Sequence, residues 1–294
     1  MGSVGTVINF CTNESRFIGP CLSQALLFSK QVIVPVASHF FDGTPENWDL
    51  LEKIYEAFPE CLFVEYPFIP HRISQAIFKT VKPTAFWHSM SRLIGASLLD
   101  KTIEWVFFLD ADEIGEGIRV KEWLDYNEIR CSLHFANYWY FRESCYRAEP
   151  LEDSIVLAKR GALTSDVLLN ERERDAIAFD RRMVLGLDGK PLFHHFSWVR
   201  TEKEMLQKVK SWSHRHDRNW KEAIHKEFSG PFQGRDFVHG YQFHTVPPPF
   251  QVSAEPFFEP KGKKNVLRLS ESEVERYAKM KKIPLRDLLL NFLS

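Results

Sequence analysis

The sequence predicts an α/β protein, a mixed β-sheet flanked by helices and followed by a C-terminal helical extension. Three observations lead there. Up to residue 115, strand-length apolar runs alternate with amphipathic helical stretches, the pattern of a parallel sheet with helical crossovers. The run Trp105-Val-Phe-Phe-Leu109 reads as a fully buried strand that stops abruptly at Asp110, Asp112 and Glu113. Beyond it the pattern changes to strands that follow one another, Cys131 to Phe141 and Ser154 to Lys159, so the sheet is mixed.

Val4 to Cys11 is the first strand, and Thr12-Asn13-Glu14-Ser15 turns it into a helix with the stripe Phe17, Ile18, Cys21, Leu22, Ala25 and Leu26. Pro20 belongs in that helix's first turn. Gln31 to Val36 is the second strand, ending at Ser38-His39 and the turn Asp42-Gly43-Thr44-Pro45. Trp48, Leu51, Ile54, Tyr55 and Phe58 mark a second helix, and Cys61 to Tyr66 a third strand closed by Pro67 and Pro70. From Pro83, with Thr84 as N-cap, a third helix buries Phe86, Trp87, Met90, Leu93, Ile94 and Leu98 and leaves His88, Ser91, Arg92 and Gly95 on another side.

In the second half, Val120 to Tyr126 is a short helix, Arg142 to Asp153 a charged connection, and Ser165 to Asp180 a charge-dense flap. Arg181 to Leu187 and Pro191 to Phe196 read as a hairpin across Asp188-Gly189. Thr201-Glu-Lys-Glu204 is a capping box that opens a helix with Met205, Leu206, Val209 and Trp212. Gly240 to Phe250 is a last extended segment, and Ser270-Glu-Ser-Glu273 opens a helix reaching Lys282. Residues 1–250 read as one domain and 251–294 as an extension.

A chain of 294 residues with 44% hydrophobic and 26% charged residues buries a sizeable core, and its net charge of −1 offers no basic field for nucleic acid. No apolar run approaches the ~20 residues of a membrane span, and no basic segment followed by an apolar one opens the chain. The expectation is a soluble cytoplasmic protein with Cys11, Cys21, Cys61, Cys131 and Cys145 reduced in its core. The C-terminus, with Lys279, Lys281, Lys282, Arg286 and the apolar stretch from Leu288, either contacts an anionic membrane surface peripherally or packs back on the domain.

Open α/β sheets place ligands beyond the carboxyl ends of their strands. Thr12, Asn13 and Glu14 after the first strand and His39 after the second are the candidate contacts for a bound ligand. Asp110 and Asp112 share a face of the extended chain, about 7 Å apart, and repel unless a cation sits near. Hard oxygen ligands suit Mg²⁺ or Mn²⁺ completed by phosphate oxygens and water; the alternative is a solvated acidic turn. His194 and His195 stand at a strand end beside a helix start, and one of them supplies a nitrogen ligand, since neighbours in a strand face opposite ways. The alternative there is a histidine hydrogen-bonded in an aromatic core. His214, His216, His225 and Asp217 lack the spacing of one helix face and read as surface residues. Arg200, Lys203, Lys208, Lys210 and Arg215 read mostly as a solvated helix face, with diphosphate contact as the alternative. The glycine fingerprints of dinucleotide-binding and P-loop proteins are absent, against hydride transfer and P-loop chemistry.

Together these residues resemble a GT-A glycosyltransferase, with its Rossmann-like sheet. The stretch Val7-Ile-Asn-Phe-Cys-Thr-Asn-Glu-Ser-Arg-Phe-Ile-Gly-Pro-Cys-Leu22 is similar to the first strand and helix of the large family 2. Phe-Phe-Leu-Asp110-Ala-Asp112-Glu-Ile resembles its Asp-x-Asp motif, and His195-Phe-Ser-Trp198 the His-x-Ser-Trp stretch of the N-acetylglucosaminyltransferases that add bisecting GlcNAc. The likeness covers residues 4 to about 250, loosely in the middle. It implies a metal-dependent hexosyl- or N-acetylhexosaminyl-transferase that uses Mn²⁺ or Mg²⁺, a nucleotide-diphosphate sugar donor, and a glycan or lipid-linked acceptor. By the same resemblance Asp112 binds the metal directly, Asp110 contacts the ribose or a metal-bound water, His195 or His194 completes the site, and Arg92 lies near the donor diphosphate. Where family 2 carries paired aspartates after the second strand, this sequence has Val36-Ala-Ser-His-Phe-Phe-Asp42. An inverting reaction needs a carboxylate base, and Glu149, Glu152 and Asp153 are the candidates. A nucleotidyltransferase and a non-catalytic nucleotide-sugar or glycan-binding module are the competing readings.

Overall fold

The computed structural model describes residues 2–69, 83–170, 172–178, 182–211 and 218–279. Strands β1 (Ser3–Asn9), β2 (Gln31–Ala37), β3 (Leu62–Tyr66) and β4 (Ile103–Asp110) run parallel in the order β3-β2-β1-β4. The intervening helices are α1 (Ser15–Ala25), α2 (Trp48–Ala57) and α3 (Pro83–Leu98). Both faces of these strands are covered, which is why they are apolar almost throughout. On β4, Trp105, Phe107 and Leu109 join the core formed with α1 and α2, while Val106 and Phe108 join the core formed with α3.

The remaining elements extend this half into a mixed sheet. They are β5 (Glu113–Gly115), α4 (Gly117–Tyr126), β6 (Leu133–Phe141), β7 (Glu143–Lys159), α5 (Ser165–Leu168), β8 (Met183–Val184) and β9 (Phe193–Trp198). After them come α6 (Glu202–Ser211), α7 (Trp220–Phe228), β10 (Phe243–Thr245), β11 (Val266–Arg268) and α8 (Glu271–Lys279). The strand order is β11-β3-β2-β1-β4-β7-β6-β9-β5, with β10 on β7 and β8 on β6. The expected mixed α/β sheet flanked by helices is therefore present.

Both capping boxes form. Thr201 Oγ1 and its backbone N–H both donate to Glu204 at 2.7 Å, and Ser270 Oγ donates to Glu273 at 2.7 Å. Asn47 caps α2, accepting from the Leu50 N–H.

Several expectations are corrected. The charged stretch 143–153 is not a connection but the first part of β7, turned back from β6 at Arg142, whose φ is 58°. Its polar side chains are compatible with a strand because β6 and β10 satisfy its backbone. The Asp188-Gly189 turn forms, with Gly189 at φ 74°, yet the flanking strands do not pair with each other. Instead β8 and β9 both pair in parallel with β6.

In the 165–178 stretch, Leu168, Ile177 and Ala178 are buried in the α3 core, so its described part is packed rather than a flap. Pro20 lies inside α1, beyond its first turn. The supposed polar side of α3 is buried: Ser91, Arg92 and Gly95 all face protein. A Cβ on Gly95 would stand 2.4 Å from Val7 Cγ1 and 3.1 Å from Pro35 Cγ, so the helix approaches β1 and β2 more closely than alanine allows.

The described part of the C-terminal extension joins the sheet and its core. Strand β11 pairs with β3, and Val274, Tyr277 and Ala278 of α8 enter the α3 core. All five cysteines are free thiols, but Cys131 is exposed and Cys11 and Cys145 are half-buried. Helix α3 already includes Pro83, so Thr84 lies within it rather than at its N-cap; the Trp212 to Asp217 stretch and the basic tail from Lys281 lie outside what is described. Among the described residues no helix is long and apolar enough to cross a membrane.

Candidate active site

The strand ends Asn9, Ala37, Tyr66 and Asp110 open onto one cavity of about 430 Å³, well within the usual ligand-pocket range. It lies where the strand order reverses, between β1 and β4, the switch point at which an open α/β sheet leaves a crevice. Asn9 and Asp110 are register partners there, and Asn9 Nδ2 donates to Asp110 Oδ1 at 3.1 Å. Ser91 of α3 fixes the Asn9 amide by donating to its oxygen at 2.8 Å.

Asp110 is the hub of an ion-pair cluster. Arg174 Nη2 lies 3.3 Å from its Oδ2; His88 Nε2 and Arg92 Nη2 lie 3.3 and 3.6 Å from its Oδ1. Arg174 also reaches Glu113 Oε2 at 2.5 Å, and that oxygen accepts the Asp110 N–H at 2.8 Å. Burial would raise the Asp110 carboxyl, but Arg174, His88 and Arg92 outweigh it and hold it well below the usual carboxylate range.

Asp112 belongs to a different cluster. Strand β4 ends at Asp110, so Asp112 sits in the turn before β5 and the strand alternation does not extend to it. Its carbonyl accepts the Phe196 N–H at 2.8 Å, and Glu113 is the register partner of His195, which brings β9 alongside. His195 Nε2 then stands 3.7 Å from Asp112 Oδ1, while Lys208 Nζ and Arg200 Nη2 stand 3.3 and 3.6 Å from Oδ2. Arg200 and Lys208 both reach Glu14 as well. On the other side of the ring, His195 Nδ1 is 3.4 Å from Glu152 Oε2. Burial disfavours charge on His195, but the hydrogen bond to Glu152 and the carboxylates of Asp112 and Glu113 raise it to about 9.

His194 faces the opposite way, as strand alternation requires. Its Nδ1 is 2.8 Å from the Tyr140 hydroxyl and its Nε2 3.0 Å from Glu116, and burial lowers its pKa. It is not on the cavity, so it is set aside as a ligand. Glu149 is exposed, and neither it nor Asp153 lines the cavity, whereas Glu152 does. Asn13, Glu14 and His39 also line it. Thr12 does not: its hydroxyl and N–H donate to the buried Glu46 carboxylate. Arg92 is buried beneath Asp110 rather than on the cavity wall. His225 is a surface residue, paired with Glu202 at 2.7 Å.

The cavity also holds residues the sequence did not single out. Arg174 comes from a stretch with no hydrophobic period, and Glu46 from a loop before α2. His239 lies at the mouth, its Nε2 3.9 Å from Glu152 Oε1.

Among the described residues, no group of three or more His, Cys, Asp and Glu side chains is arranged to hold a metal. The Asp112–His195 pair nonetheless fits one, with the ion displacing the proton that the neighbouring carboxylates otherwise hold on His195. At 3.7 Å it is too long for a hydrogen bond, yet within what two ligands of one ion at about 2.1 Å each can span. His195 Nδ1 bonded to Glu152 is the outer contact that orients a ligating imidazole. Two protein ligands suffice for an ion that arrives with phosphate oxygens and water. Asp110, enclosed by its arginines, is not a member of that pair.

Against protein-family models and against curated proteins the sequence finds no match. Among solved structures, the apo form of the glycosyltransferase GlyE of Streptococcus pneumoniae TIGR4 is similar at 11% identity and a TM-score of 0.34, over 80% of this chain and 66% of that one. A second structure of that glycosyltransferase is similar at 10% identity and a TM-score of 0.36, over 85% and 66%. The chain thus spans just under two thirds of these neighbours, and a likeness at this level has no bearing on chemistry.

Proposed function

We propose that this protein is a glycosyltransferase that moves a hexosyl or N-acetylhexosaminyl group from a nucleotide-diphosphate sugar to a glycan or lipid-linked acceptor. The observation that carries the reading is the convergence of Asp112, His195 and Glu152 on one cavity at the sheet's switch point. The GT-A resemblance of the Asp-x-Asp and His-x-Ser-Trp stretches supports the same class.

Asp112 and His195 are the residues that would hold Mn²⁺ or Mg²⁺. Such an ion supplies Lewis-acid compensation for the charge on the departing nucleoside diphosphate. Lys208 and Arg174 line the same cavity and add positive charge toward those phosphates. Glu152 keeps Oε2 on His195 and turns Oε1 to the cavity mouth, where it takes the proton of the acceptor hydroxyl as that oxygen bonds to the anomeric carbon. The bond from the anomeric carbon to the diphosphate breaks, and the diphosphate leaves with the electron pair.

The test is release of nucleoside diphosphate from a panel of UDP-, GDP- and dTDP-sugars, and of CMP from CMP-sugars, with Mn²⁺ and mixed glycan acceptors. Glu152→Gln should lower transfer by about 10²–10⁴-fold while donor binding persists. A protein that binds no nucleotide sugar, or transfers equally well without Glu152, is not this enzyme.

A further inference from the structure

We infer that the Asp236–Tyr241 loop is the acceptor subsite of this cavity, built to seat a pyranose ring against His239 with a hydroxyl directed at Glu152. The inference rests on the glycosyltransferase reading and concerns the side of the cavity away from the donor.

The loop is constructed to hold one exposed imidazole still. Asp236, 4% exposed, collects four successive backbone N–H groups: those of Val238 and His239 at 2.6 and 2.5 Å through Oδ1, Gly240 at 3.3 Å through Oδ1, and Tyr241 at 2.7 Å through Oδ2. Gly240 takes φ 75°, which closes the turn. Phe237 anchors the loop in a third core, against Phe141 at 5.4 Å and Trp198 at 5.5 Å between ring centroids. A loop so fixed holds whatever side chain it carries at its tip in one place. Here that residue is His239, whose side chain is 43% exposed.

The His239 ring rests on Tyr241, with centroids 5.0 Å apart and planes 25° apart, and meets Trp139 edge-on at 5.0 Å. One face is therefore backed and the ring stands at the cavity mouth. Its Nε2 is 3.9 Å from Glu152 Oε1, too far for a hydrogen bond, so the pair leaves room for a third polar group to contact both. A flat ring beside a carboxylate and an imidazole donor matches a sugar: C–H groups lie on the ring while a hydroxyl bridges the polar atoms.

The experiment measures two ligands on the full-length protein. Methyl pyranosides of glucose, galactose, mannose and N-acetylglucosamine are titrated by saturation-transfer NMR; UDP and GDP with Mn²⁺ are titrated by thermal shift. His239→Ala, at an exposed position, and Tyr241→Leu, which removes the backing ring, should each reduce the pyranoside signal at least fivefold and leave the nucleotide shift unchanged. An undiminished pyranoside signal in both variants, or no pyranoside bound by the wild type, overturns the subsite. Pyranoside binding lost in the variants from a wild type that ignores every nucleotide keeps the subsite and removes the transferase reading.

Discussion

His195 Nε2 stands 3.7 Å from Asp112 Oδ1, although the two residues come from opposite halves of the chain. The approach is made by backbone pairing: Phe196 N–H bonds the Asp112 carbonyl, and His195 sits in register with Glu113. A site assembled by strand pairing is positioned as rigidly as the sheet itself.

Asp110 has a structural task distinct from that of Asp112. Asp110→Asn leaves Arg174 and Arg92 beside one fewer carboxylate, and should cost about 2 kcal/mol of stability, below the ~3–5 of a fully buried pair because the Asp110 side chain keeps 24% exposure. Urea unfolding at neutral pH checks it; a variant as stable as the wild type would remove Asp110 as the hub of that cluster.

Glu46 makes stability depend on pH. Burial raises its carboxyl from 4.5 to about 7 against the bonds from Thr12 and Asn47. The folded state then holds a proton the unfolded state has lost, so stability falls as pH rises from about 4.5 to 7 and stays lowered above that. The cost at pH 8 is about 3 kcal/mol. Glu46→Gln should be more stable than the wild type at pH 8, with the gap closing below pH 5, as read by urea unfolding across that range.

Gly95 sets the spacing of α3 above β1 and β2. Gly95→Ala puts a methyl group 2.4 Å from Val7 Cγ1 and should destabilise by about 1–3 kcal/mol. Because α3 also carries Ser91 and Arg92 to Asn9 and Asp110, the same variant should weaken nucleotide binding. Thermal unfolding and a nucleotide titration read the two effects.

The parallel half of the fold was legible because its strands are buried on both faces and are therefore apolar almost throughout; Trp105 to Leu109 shows it most plainly. Strand β7 was not, since its 143–153 portion gains stability from backbone pairing with β6 and β10 rather than from apolar side chains. Its misreading also left Glu152 as one of three equal candidates. Of the site, Asp112 and His195 could be found because each follows an apolar strand or precedes a capping box. The choice between His194 and His195 needed the register with β5. Arg174 carried no local signal, as its place is set by Asp110 and Glu113 across the fold. Asp236 did carry one, an acidic residue a few positions before Gly240, the pattern of a side chain capping its own turn.

The account turns on Asp112 and His195 holding one divalent ion together with a nucleoside diphosphate. Titration of Mn²⁺ followed by EPR, with UDP and GDP each present or absent, measures this on the wild type and on Asp112→Asn, His195→Ala and His194→Gln. The account predicts that nucleoside diphosphate tightens Mn²⁺ binding, that the first two variants lose at least about tenfold in affinity, and that His194→Gln binds as the wild type does. Mn²⁺ binding unchanged in both Asp112→Asn and His195→Ala would contradict it.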